Sequence, residues 1–474
     1  MNSLGKGAFS MPQSRKHYSS HSYWLEQCGD IKPRETLTTS IDCDVAVVGA
    51  GFTGLWTAYY ILEQSPDCRV VVLESETAGF GASGRTGGWC NATMLGLTPA
   101  GMVRRWGPRD AAQVIKTMRS TIDEVAEVVD REGIDVNLAK EGVLRVARGM
   151  HEIAALDEKY ETLRSLGLLD GHRRLGREET LEMIQVNGVE GGLFDPFVYW
   201  LHPAKLIRGL AGAVESRGGT IFENSAVLDW TGSGPHRIRT GSGEVSADNV
   251  IIATESYSVR FPEFHRRLLP LYSLVVLTEP LTPEQWDRVG WKRRFALSSE
   301  LLSVNYLVRT PDGRIMFGGR GSPYHYGSKI EDSYDIDERT HATLREEFHA
   351  WFPQLHDVRF THSWGGPIGI PRDWTPNVFF DKRSKLGGAF GYSGQGVAMS
   401  NLAGRVLAGS VLDAPTEIHR LPFVGHESRD WEYEPLRSLG VRFVQKGMTR
   451  LDARGKRTGK APSGQSLVER LGRH

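Results

Sequence analysis

The clearest chemical potential lies early in the chain, in Gly49-Ala50-Gly51-Phe52-Thr53-Gly54. Glycines at this spacing build a turn that can pass close to a phosphate. Gly49 permits a tight exit from a strand, Gly51 keeps the approach free of a Cβ, and Gly54 lets the next helix sit close to the sheet. The start of that helix offers unpaired N–H groups and the positive end of a dipole to an anion. Glu74 stands twenty residues past Gly54, where a second apolar run ends. A carboxylate there can accept hydrogen bonds from ribose hydroxyls. Together these residues describe a grip on an adenine dinucleotide. Glu rather than a small residue with a nearby Arg argues against a 2′-phosphate, and so against NADP.

The elements that must position them are visible in the pattern. Val45-Ala46-Val47-Val48 reads as a buried parallel strand, 53–64 as a helix, and 69–74 as a second buried strand. A loop of small residues fills 79–96, and helices are expected near 110–132, 204–216 and 337–352. Strand signals return at 219–230 and 249–254, and 271–320 reads as an antiparallel sheet with a hairpin turn at Pro311-Asp312-Gly313. Residues 386–412 read as strand, glycine turn and helix. An NAD domain usually completes its sheet in one block. Here the pieces return after long excursions, which favours FAD and leaves NAD as the fallback. The late turn, Gly391-Tyr392-Ser393-Gly394-Gln395-Gly396-Val397, again opens a helix. Such a terminus can stabilise negative charge on a reduced flavin ring.

A chain of 474 residues is too long for one compact core, so two domains, interleaved in sequence, are expected. Lys plus Arg and Asp plus Glu balance at 57 each, which argues against a nucleic-acid partner. Cys28, Cys43, Cys68 and Cys90 show no metal-binding spacing and read as reduced thiols of a cytoplasmic protein. The first residues lack the apolar run of a signal peptide, and no stretch is long enough to span a bilayer. Residues 1–40 read as an arm packed on the core around Tyr23 and Trp24. The basic tail reads as a solvated, poorly packed terminus.

Several segments together resemble the FAD-dependent D-amino-acid oxidase-like superfamily, and within it the gamma-glutamylputrescine oxidases. They are CDVAVVGAGFTGL (43–55), VVLES (71–75), GFGASGRTGGW (79–89), LHPAKL (201–206), IIATESY (251–257), TEPL (278–281), DGRIMFGGRG (312–321), WGGPIGIPRDWTP (364–376) and FGYSGQGVAMSNLAGRVLA (390–408). The resemblance implies an α/β fold: a discontinuous Rossmann-type FAD-binding domain from 1–95, 196–260 and 360–440, and a substrate domain from 96–195 and 261–359. The latter is α+β with a mixed, largely antiparallel sheet, and 441–474 form the basic tail. It implies non-covalent FAD lined by Gly49, Gly51, Phe52, Thr53, Gly54, Glu74, Ser75, Gly81, Ala82, Ser83, Arg85, Gly87, Gly88 and Trp89. Val227, Thr254, Trp364, Gly391, Gly394, Gln395, Gly396 and Val397 complete that set. Two departures stand out. No Cys follows Cys90, so the flavin linkage of sarcosine oxidases is absent, and 312–322 contains no counterpart of their oxygen-activating Lys.

The implied reaction is amine oxidation, with hydride passing from the α-carbon to flavin N5 and the imine then hydrolysing. Placement matters more than a strong base. Arg309 and Arg320 are candidates to bind a substrate carboxylate, and Tyr257, Tyr306, Trp364 and Tyr392 to wall the amine pocket. His202 and Cys90 read as structural. The expected substrate is an amine bearing an acidic group, such as a gamma-glutamylated polyamine or N-alkyl amino acid, with oxygen as electron acceptor. The alternatives are a dehydrogenase using another acceptor and a non-enzymatic, flavin-stabilised assembly protein.

Overall fold

A computed structural model describes residues 18–94, 96–232, 234–319, 323–462 and 466–472. Two eight-stranded sheets organise it. The first runs Asn377–Asp381, Leu386–Phe390, Glu244–Ile252, Ser40–Val48, Val70–Leu73, Thr220–Phe222. Its inner strands are parallel, with Val45 to Val48 facing Val70 to Leu73 on one side and Asn249 to Ile252 on the other. Val45, Ala46, Val47 and Val48 are all buried because helices cover one face and a further strand layer covers the other. Val227–Thr231 and His236–Thr240 are that layer, paired antiparallel onto the first half of Glu244–Ile252. Helices Phe52–Gln64, Pro203–Ser216 and Gly396–Val411 pack on the opposite face.

The second sheet runs Phe360–Ile370, Leu269–Thr278, Ile315–Gly319, Asn305–Arg309, Ala296–Ser299, Val143–Ala147, Gly191–Asp195, Arg173–Leu175. It is antiparallel except where Ala296–Ser299 meets Val143–Ala147. The hairpin at 311–313 forms as expected, with Gly313 at φ +80. The long helix extends back to Pro99 across a break at Gly107-Pro108.

Two expectations need correction. The resemblance places 360–370 with the cofactor segments, but strand Phe360–Ile370 pairs along its length with Leu269–Thr278 in the second sheet. The basic tail is also not loosely packed, since it forms helix Leu436–Thr458. Its buried positions include Val441, Asp452 and Gly455, so little apolar periodicity marks it. Gly455 lies against the His151 ring, which a side chain would displace. Asp452 accepts hydrogen bonds from Leu302 N and Ser303 N, both at 3.1 Å, and from Ser303 Oγ at 2.7 Å. Residues 1–17 of the expected N-terminal arm lie outside the described residues; the described part packs as expected, with Trp24 fully buried and Ser22 Oγ donating to Gly84 O at 2.7 Å. Among the described residues no helix is long and apolar enough to cross a membrane.

Asp452→Ala removes a buried carboxylate that satisfies two amides of the 299–305 loop. We expect a loss of about 2 kcal/mol in stability and faster amide exchange at Leu302 and Ser303. Unchanged exchange there would show that the helix does not brace the loop.

Candidate active site

The C-terminal ends of the central parallel strands open on one continuous cavity of about 1070 Å³. This is the switch point of the first sheet, where strand neighbours lie to either side of Ser40–Val48. Gly49 turns at φ +105, and a Cβ there would stand 2.8 Å from Ala253 O. A Cβ on Gly54 would stand 2.0 Å from Gly49 O, so the helix starts in contact with the turn itself. Gly51 differs: a Cβ would touch only Ser83 Oγ, at 3.2 Å, because the residue faces the cavity. Ser83 Oγ accepts from Phe52 N at 2.9 Å, which ties the small-residue loop to the helix start. Phe52, Thr53 and Thr254 line the same stretch.

Glu74 lines one end of the cavity with Ser75 and Val227. Its carboxylate accepts from Ala50 N at 2.8 Å and Glu76 N at 3.0 Å. Burial raises its pKa, and those amides oppose the shift.

The other end is formed by Gly81, Ala82, Arg85, Gly87 and Trp89 together with Tyr392, Gly394, Gln395, Gly396 and Val397. Helix Gly396–Val411 begins there, so two helix N-termini point at one cavity. Thr53 Oγ1 and Tyr392 OH, 2.9 Å apart, join them. Arg85 donates through Nε to Phe80 O at 2.7 Å and through Nη1 to Asp335 and Gly365 O, while its Nη2 is buried without a partner among the described residues. Ser393 Oγ and Trp89 Nε1 are likewise buried and unpartnered among those residues. Orphaned polar groups at one end, a Cβ-free turn in the middle and a carboxylate at the other fit a flavin dinucleotide. Tyr257 and Tyr306 also line the cavity. Tyr306 lies across Gly318, where any Cβ would meet its ring, and its hydroxyl is 3.2 Å from Ser273 Oγ.

Several expected residues stand behind the wall. Gly54 and Gly88 press on neighbouring backbone, Gly391 presses on the Pro371 ring, and none of the three lines it. Trp364 shares a strand face with Gly366 and Ile368, but the 82–87 loop covers it, and its Nε1 donates to Arg85 O at 2.9 Å. Arg309 is not a substrate ligand here. Three positions from Tyr306 on one strand, it falls on the opposite face, donating to Trp291 O and Lys292 O and lying over Trp286. Arg320 lies outside the described residues. His202 is structural: its Nδ1 accepts from Lys205 N at the start of Pro203–Ser216, and burial, then Lys205, lowers it to about 4. Cys90 is buried in the core, and burial pushes its thiol up.

The sequence reading missed Glu255, which lines the cavity. Its carboxylate takes Gly391 N, Tyr392 N and Gly369 N, joining the late glycine turn to the second sheet. It also missed Asp335, the partner of Arg85, and the charged wall residues Arg145, Lys159 and Glu300. Glu255 lies within the IIATESY segment at 251–257. The others carry no local signal, since chain segments far apart bring them in.

A glycine cradle at a switch point, facing a second sheet across a cavity too large for the dinucleotide's phosphates alone, defines a two-sheet flavoenzyme. The chain belongs to the family described as FAD dependent oxidoreductase, DAO, which matches residues 44–409. FAD is its cofactor. It is 30% identical over 430 residues to the gamma-glutamylputrescine oxidoreductase of Escherichia coli (strain K12), covering 85% of this chain and 93% of the relative. It is also 30% identical over 407 residues to the probable oxidoreductase OrdL of Haemophilus influenzae, covering 83% and 89%. Glycine oxidase from Geobacillus kaustophilus shares the fold with a TM-score of 0.67 at 22% identity, covering 81% of this chain and 98% of that structure.

Gly51 and Gly54 separate binding from folding. Gly51→Val should purify folded and colourless, because its side chain enters the cavity. Gly54→Val should unfold at markedly lower temperature, because its side chain enters the backbone. Visible absorbance and thermal melts check this; a yellow Gly51→Val protein would contradict the assignment of the cradle.

Proposed function

We propose that the enzyme oxidises a primary or secondary amine that also carries an acidic group, with FAD held non-covalently. The observation that carries this reading is the continuity of the cavity. It runs from the glycine cradle past the 82–89 loop onto the face of the second sheet, along Tyr306, Ser273 and Ser298. FAD bound in the cradle would supply a hydride acceptor for the carbon beside the amine nitrogen, and water would split the resulting imine to a carbonyl compound and an amine or ammonia. The cradle would be held by Gly49, Gly51, Phe52, Thr53, Ser83 and Glu74, and the ring end by Arg85, Gly87 and Gly394 to Val397. Tyr306 and Tyr257, both half-buried, wall the reacting end. The Tyr392 hydroxyl is committed to Thr53, so Tyr392 shapes the wall rather than contacting substrate through its oxygen. Gamma-glutamylated polyamines and N-alkyl amino acids are the candidate substrates; the name of the Escherichia coli relative supports the first class. Free thiols at Cys28, Cys43, Cys68 and Cys90 support a cytoplasmic setting.

Oxygen is the proposed acceptor. A second reading, transfer to another acceptor, draws on the cavity's lysine: among the described residues the wall carries Lys159, which Glu300 holds. Anaerobic mixing with a panel of amines should bleach the flavin, and readmitted air should restore colour with peroxide. Bleaching without peroxide would select the second reading. No bleaching by any amine would end the proposal.

A further inference from the structure

The cavity continues along the second sheet to a group of charges that the oxidation does not use. Arg145 comes from strand Val143–Ala147, Lys159 from helix Met150–Ser165, and Glu300 from the loop after Ala296–Ser299. Lys159 Nζ lies 2.9 and 3.1 Å from the two carboxylate oxygens of Glu300. The Arg145 guanidinium lies 3.8 Å from Glu300 and 3.5 Å from Ser298 Oγ. Its Nε is buried and has no hydrogen-bond partner among the described residues. Asp195, also on the wall, is already engaged by His172 at 3.3 Å and by Phe197 N at 2.9 Å.

Taking these ions out of water is costly, and a fold can usually replace such a pair with apolar packing at no loss. Here three elements deliver it to a cavity wall. Its position is also braced from behind. Glu152 accepts from Glu300 N at 3.1 Å, and Asp452 of helix Leu436–Thr458 holds the amides of Leu302 and Ser303 further along the loop. Between Arg145 and Lys159 the wall presents the Glu300 carboxylate, so cations and an anion stand together. A singly charged group entering there meets the wrong sign as well as the right one. A group with carboxylate and ammonium on one carbon meets both correctly and buries no net charge.

We propose that this end of the cavity is a subsite for a zwitterionic α-amino-acid head, with Arg145 and Lys159 receiving the carboxylate and Glu300 the ammonium. The inference rests on the amine reading above, and it makes the substrate an amine at one end and an amino acid at the other.

The test is calorimetric, on the flavin-loaded full-length enzyme. The probes are γ-glutamyl butylamide, which has the head and lacks the terminal amine, glutaryl butylamide, which keeps only the carboxylate, and butyryl butylamide, which has neither charge. The γ-glutamyl compound should bind the unaltered enzyme about ten- to hundred-fold more tightly than the uncharged amide, with the glutaryl compound between them. Lys159→Met and Glu300→Gln should each remove most of that advantage, and Lys159→Arg should keep it. Retained flavin and an unchanged melt report folding. If a variant fails to fold, the ligand series on the unaltered enzyme still decides. Equal binding of the three probes, or variants that bind the γ-glutamyl compound as the parent does, would overturn the subsite. An enzyme that prefers the head but is bleached by no amine would sink the amine reading alone. One bleached equally by amines with and without the head would sink the subsite alone.

Discussion

Helix Phe52–Gln64 starts where it does because Gly54 has no side chain; a Cβ there would stand 2.0 Å from the Gly49 carbonyl oxygen. That contact places the helix N-terminus directly at the end of strand Ser40–Val48 and aims its free N–H groups into the cavity. Helix Gly396–Val411 can lie beside it because Gly404 is also bare, pressed against the backbone of Trp56 and Thr57. The two N-termini therefore share one opening, joined by Thr53 and Tyr392. Their fields add where a dinucleotide's phosphates and a reduced ring would carry negative charge.

The cavity's opposite wall depends on a second lock. Arg85 pairs with Asp335, both buried, and its carbonyl receives Trp364 Nε1. Trp364 packs on Trp24, and Ser22 at the head of the same short helix donates to Gly84. The N-terminal arm, the second sheet and the small-residue loop thus fix one another. A buried ion pair is a poor source of stability, but it is a good source of position. Here the position it sets is that of the loop on which any ring must rest.

Much of the first sheet could be read in the sequence because its signals are local. A β-branched run, glycines at fixed spacing and a carboxylate at the next strand's end depend on neighbours along the chain, and all three hold. Residues whose facing depends on tertiary structure were harder. Arg309 fails by strand parity, and Trp364 has the right face but another loop lies over it. Helix Leu436–Thr458 hid because most positions it buries, Asp452 and Gly455 among them, are polar or bare, with Val441 the apolar exception. Lys159 and Glu300 are 141 residues apart, so nothing in either neighbourhood announces the pair.

The most direct measurement is a crystal structure of the FAD-loaded enzyme. Density is expected for the pyrophosphate against Gly51 and Ser83, for the ribose at Glu74, and for the isoalloxazine between the 82–87 loop and Gly394–Val397. Density that leaves Gly51 empty, or turns the ring away from the second sheet, would contradict this placement.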